Sequence, residues 1–129
     1  MAKTTNKKSV KGRYVDGYVL PLPKRNLNAY RRMAQKGSKV WKKYGALDYK
    51  ECIAEDISIQ WGVPFPKMIK VKPGETVVFS YIVFKSRAHR DSVNKKVMKE
   101  MMDDPSMNVN PMPFDVKRMV YSGFKVIVD

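Results

Sequence analysis

Four stretches of this chain are rich in strand-forming residues, some alternating apolar and polar in twos and some apolar on both faces, and two others repeat apolar residues every three or four. The run Tyr14-Val15-Asp16-Gly17-Tyr18-Val19-Leu20 is rich in strand formers and predicts a first strand that stops at Pro21 and Pro23. Asn26 then offers an N-cap and Gly45 a C-terminal stop. Between them Leu27, Tyr30, Ala34, Gly37, Trp41 and Tyr44 share a stripe widened by Met33 and Val40. The basic residues Arg31, Arg32, Lys36, Lys39, Lys42 and Lys43 lie largely off that stripe, the mark of an amphipathic helix with one buried face.

Leu47, Tyr49, Glu51 and Ile53 alternate with Asp48, Lys50 and Cys52 and predict a second strand. A long connection without periodicity follows, with Trp61, Pro64, Phe65, Pro66 and Pro73-Gly74; such a segment is either functional or packed by its own aromatics. Thr76 to Lys85 is apolar on both faces, as a central strand would be. Ser86 caps a second helix that carries Val93, Val97 and Met101 on one stripe and ends at Asp103-Asp104-Pro105. The last strand is predicted over Arg118 to Val128.

The order is β-α-β-β-α-β. Two right-handed crossovers on one antiparallel sheet make an α+β, ferredoxin-like arrangement with both helices on the same face. Strands three and four are nevertheless apolar on both faces. A monomer would expose a large apolar surface, so a homodimer packed sheet to sheet is expected.

A length of 129 residues suits one domain, read as 14–129. Residues 1–13 carry Lys3, Lys7, Lys8, Lys11 and Arg13 with no acid, and are expected to form a disordered basic arm. The arm accounts for five of the +14 net charge and leaves +9 spread among all 12 acidic residues, not gathered in a stripe. A single cysteine excludes an internal disulfide and fits a reducing compartment. No stretch reads as a signal peptide or a membrane span, so a cytoplasmic protein is expected, with no membrane partner.

Several words of the sequence are familiar in order. Tyr14-Val15-Asp16-Gly17-Tyr18-Val19-Leu20-Pro21, Gly45-Ala46-Leu47-Asp48-Tyr49 and Lys72-Pro73-Gly74-Glu75-Thr76-Val77-Val78-Phe79-Ser80 come first. Lys85-Ser86-Arg87-Ala88-His89-Arg90-Asp91, then Met112-Pro113-Phe114-Asp115 with Arg118-Met119, follow. From about Tyr14 onward the chain resembles the YbaA-like family, small bacterial proteins of unknown function. That resemblance implies the dimeric α+β barrel superfamily and carries no activity with it.

Candidate chemistry is sparse. His89, the single histidine, falls near the start of helix two on the stripe of Val93 and Val97, where a helix N-terminus favours the neutral ring. With strands one and three antiparallel, Asp16 would lie near Ser86 and His89, making Asp16 and His89 the acid/base candidates. Against this stands a locally paired Asp16 and a structural His89. Arg87 and Arg90, with Asp91 beside them, are ligand-binding candidates for an anionic group, although surface ion pairs are commoner. Tyr18 and Trp41 are the aromatic ligand-binding candidates. Tyr30, Tyr44, Trp61 and Phe65 extend that set, with core packing the usual fate of the helix members. Gly37 within the helical stripe marks a close approach, to the sheet or to a ligand. Cys52 lacks a partner or an activating neighbour and reads as a small hydrophobe. No metal spacing, phosphate loop, nucleophile elbow or dinucleotide fingerprint is present, and no cofactor is expected.

Together these features favour a small organic molecule, bound or transformed in a pocket between helices and sheet. Nucleic-acid binding by a basic protein, and a structural or stress dimer without ligand, are the alternatives. Scattered charge and the absence of a recognition motif disfavour the first of these.

Overall fold

The computed structural model describes residues 13–129. Apart from Arg13, the basic arm expected over residues 1–13 lies outside the described residues. The fold is α+β, a four-stranded antiparallel sheet with three helices. In chain order these are β1 (Tyr14–Pro23), α1 (Leu27–Lys43), β2 (Asp48–Ile53), α2 (Phe65–Met68), β3 (Glu75–Phe84), α3 (Arg87–Asp103) and β4 (Val120–Lys125). The strands lie in the order β2-β3-β1-β4, so β3 is internal, as its two apolar faces require.

Three boundaries differ from the sequence reading. First, β1 runs through both prolines to Pro23 instead of stopping before them. Its pairing with β4 ends at Val19, and beyond that point β1 has a neighbour only on the β3 side. A missing N–H is tolerated on such an open edge. Second, β4 is confined to Val120–Lys125. A 3-10 turn at Val116–Arg118, braced by Asp115 accepting the Lys117 N–H at 3.0 Å, precedes it. Its partner strand begins opposite Lys125, so the pairing runs out after Val126 N–H reaches the Arg13 carbonyl. Third, the long connection contains the short helix α2, which follows Pro64 and carries Pro66 in its first turn.

The helix ends follow local chemistry. Gly45 adopts φ +115°, which a side chain would resist, and turns the chain from α1 into β2. Ser86 caps α3 by accepting the backbone N–H of His89 at 3.1 Å. Asn26 sits at the α1 N-terminus but sends its amide N–H across to the Pro113 carbonyl at 2.8 Å, pinning the loop before β4.

Two apolar clusters lie between the helices and the sheet. One joins Ile82 and Phe84 to Val40, Ala46, Val93 and Val97; the other joins Leu20, Leu22 and Val78 to Tyr30 and Ala34. Each of these larger side chains contributes about 1.5–3 kcal/mol by burial. The opposite face of the sheet is covered at one end, where Val19 and Val77 pack under Ile69. Elsewhere it is open: Phe79, Val120 and Phe124 are 42, 49 and 57% exposed.

Candidate functional site

What separates the two apolar clusters is polar. Strand register puts Glu51 beside Ser80, Ser80 beside Tyr18, and Tyr18 beside Tyr121, a row across all four strands. All four occupy the pleat positions shared with Leu20, Val78 and Ile82, which face the helices.

At the β4 end, Asp16 is fully buried one pleat further along β1. The Arg90 guanidinium donates to its Oδ1 at 2.8 Å, and the Asn94 amide donates to its Oδ2 at 3.3 Å. Trp41 Nε1, a donor only, holds the other end of that amide through Asn94 Oδ1 at 2.9 Å. Arg90 also donates to the Tyr121 hydroxyl (2.9 Å) and to Asp91 (2.8 Å), and lies over the Tyr14 ring at 4.9 Å. Tyr121 stacks on Tyr18 with centroids 4.7 Å apart. Gly123, opposite Asp16, leaves room for the Tyr14 ring: a Cβ there would come within 2.5 Å of its hydroxyl.

At the β2 end, Glu51 receives two phenols, Tyr30 on Oε1 at 2.7 Å and Tyr49 on Oε2 at 2.6 Å, with Ser80 beside it on β3. Glu51 stands at the open edge of the sheet, so much of the residue meets solvent, yet its carboxylate turns inward among these hydroxyls. Loss of solvent pushes that carboxyl above its ordinary value, and the three hydroxyls only partly offset the effect. Burial, reinforced by the Glu51 charge, holds the Tyr30 and Tyr49 phenols well above the usual range. Tyr18 is raised likewise, by burial first and Asp16 second. These phenols therefore stay protonated, as donors. Beside Glu51 a cleft of about 250 Å³ opens between α1 and β2, lined by Leu27, Tyr30, Ala34, Ile53 and Val78 among others.

Asp16, Arg90, Tyr18 and Trp41 thus come together in one connected network. His89 does not join Asp16. Its Nδ1 accepts the Lys85 N–H at 3.0 Å, its ring meets the Phe84 ring edge-on, and its Nε2 lies 3.1 Å from where a Gly45 Cβ would be. The reason is one helical step: on α3, Arg90 and Asn94 point over Asp16, while His89 turns toward the α1–β2 corner. Partial burial, then Lys85 and Lys96, lower the His89 pKa, in keeping with the neutral ring expected. Arg87 borders an open depression beside Arg90, Lys95 and Tyr121. Gly37 lets α1 approach the sheet, its missing Cβ lying 3.7 Å from the Tyr49 hydroxyl and 3.3 Å from the Trp41 ring. Cys52 is exposed on β2 and not buried as a hydrophobe would be. It stands opposite Phe79, on the open face of the sheet.

Glu51, Ser80, Tyr49, Asn94 and Tyr121 were not singled out from sequence. A signal existed for two of them: Glu51 and Ser80 interrupt the inward apolar positions of their strands, and a polar residue there calls for a partner.

Fold and site together define an α+β protein whose core is divided by a row of polar side chains. The chain belongs to the family described as protein of unknown function (DUF1428), whose model matches residues 13–116. It is 42% identical over 119 residues to the uncharacterized protein YbaA of Escherichia coli strain K12, covering 91% of this chain and 98% of that one. The Shigella flexneri YbaA matches equally, at 42% identity over the same coverage. Among solved structures, the de novo designed protein Foldit4 aligns with 91% of this chain and 99% of its own, at 8% identity and a TM-score of 0.43. Among the described residues no helix is long and apolar enough to cross a membrane.

Proposed function

We propose that this chain is a cytoplasmic homodimer that binds or transforms a small organic molecule in the cleft between α1 and β2. The observation that carries the reading is the Glu51 carboxylate, held by Tyr30 and Tyr49 at the side of a mainly apolar cleft of about 250 Å³. Convergent polar groups in an apolar hollow are the ordinary form of a small-molecule site. In this reading Tyr18 links Glu51 to the Asp16 network, where Arg90, Asn94 and Trp41 hold the other end of the row. Strand order 4-1-3-2, read from the β4 edge, supports a ferredoxin-like topology, and the open apolar face supports pairing as a dimeric α+β barrel. Phe79, Val120 and Phe124 would meet their copies there.

Native mass spectrometry of the purified chain tests both parts. The expected species has twice the 14.9 kDa chain mass, and Phe79→Lys combined with Phe124→Asp reduces it to one chain. Fragment screening by amide NMR should move the signals of Leu27, Tyr30, Ile53 and Val78. A single-chain species at micromolar concentration would refute the dimer, and fragment hits confined to other surfaces would refute the cleft.

A further inference from the structure

Resting on that cleft reading, we propose that Glu51 is a proton acceptor for small uncharged carbonyl compounds, with Tyr30 and Tyr49 donating hydrogen bonds to the enolate oxygen that forms. The geometry carries this. One carboxylate and two phenols converge at 2.6–2.7 Å beside an apolar hollow that admits a flat organic body. Both phenols spend their protons on Glu51 while it is charged. When Glu51 takes up a proton its oxygens become weaker acceptors, and the hydroxyls can turn to the oxyanion at the moment it appears.

The step balances without a cofactor. A C–H bond next to the carbonyl breaks, its proton passes to a Glu51 oxygen, and its electron pair becomes the enolate π bond as charge moves to the carbonyl oxygen. Once the Glu51 carboxyl has traded that proton with solvent, delivery of the solvent hydron to the same carbon gives exchange; delivery to a conjugated carbon gives an isomer. Glu51 is suited to the role, because desolvation raises its basicity above that of a free carboxylate. Arg31 lines the cleft together with Glu51, so a cation faces the site as well as the carboxylate. Such a wall suits a neutral molecule that becomes negative as its proton leaves for Glu51.

The test uses 2-indanone, a flat uncharged ketone, with the full chain in D2O. Loss of its α-proton signals is followed by ¹H NMR against buffer, while amide shifts report where it binds. Wild type should accelerate exchange, Glu51→Gln should lose roughly 10²-fold or more of that acceleration, and Tyr30→Phe or Tyr49→Phe about tenfold. The wild-type rate above buffer should fall on acidification with the midpoint at which the Glu51 carboxyl carbon titrates, a readout that a purely structural Glu51 would leave flat. That profile stands even if Glu51→Gln fails to fold. Binding in the cleft without acceleration, or acceleration that survives Glu51→Gln, overturns proton transfer and leaves the binding reading intact. No amide shifts in the cleft at millimolar 2-indanone, with no acceleration, overturns both.

Discussion

Arg90→Met isolates the cost of a buried charge. Asp16 is 0% exposed and the Arg90 side chain 13%, so removing the guanidinium strands a carboxylate that water cannot reach. Breaking one side of such a pair costs about 3–5 kcal/mol. Asn94 still donates at 3.3 Å, which places the expected cost near the lower end, while the lost contact with the Tyr14 ring adds about 0.5–1 kcal/mol. For a chain of 129 residues, 1 kcal/mol moves Tm by about 4 °C, so the variant should melt roughly 14–16 °C below wild type. Calorimetry at one fixed protein concentration measures this, because a dimer's Tm depends on concentration. Asp16→Leu combined with Arg90→Met should recover at least half of the loss, since an apolar pair carries no desolvated charge. If Arg90→Met melts within about 3 °C of wild type, or the double variant is as unstable as the sum of its parts, the pair is not a buried, coupled one.

Other expectations follow from single contacts. Ser86→Ala removes the α3 cap and should cost about 1 kcal/mol in denaturant titration, with His89 its first affected neighbour. Gly123→Ala forces the Tyr14 ring away from Arg90 and should cost about 1–3 kcal/mol, visible as a lower urea midpoint. His89 is lowered from 6.5 in the folded state, so the unfolded chain binds its proton more tightly. Its contribution is therefore complete above about pH 6.5 and is lost as pH falls below it toward the depressed folded value. His89→Gln should flatten stability against pH just below about 6.5; an unchanged slope there would show that the ring is not shielded. Glu51 has the opposite linkage: its raised value means that the fold gains stability on acidification through the Glu51 titration. Wild type should gain relative to Glu51→Gln as pH falls through that range, as carboxyl ¹³C titration and parallel melts would show.

Much of the architecture was written in periodicity. The α1 stripe, the Ser86 cap, the Gly45 stop and the two-faced β3 each depend on residues close in sequence, and each stands where the pattern placed it. The strand ends moved because pairing, not propensity, sets them. Pro21 and Pro23 are admitted where β4 no longer runs alongside, and Ile127 and Val128 hang 88 and 84% exposed once β1 has no more residues to offer.

The candidate site divides in the same way. Sequence alone put Asp16 near the start of α3 on the condition that β1 and β3 pair antiparallel, because that pairing sets the start of one strand beside the end of the other. It did not determine which α3 residue would reach that carboxylate, since His89, Arg90 and Asn94 differ only by rotation about the helix axis. Docking of α3 on the sheet made that choice for Arg90 and Asn94, with Trp41 of α1 orienting the amide. Glu51, Ser80, Tyr18 and Tyr121 lie as many as 103 residues apart along the chain. Only strand register brings them into one row, and register is a property of paired strands that no local pattern contains.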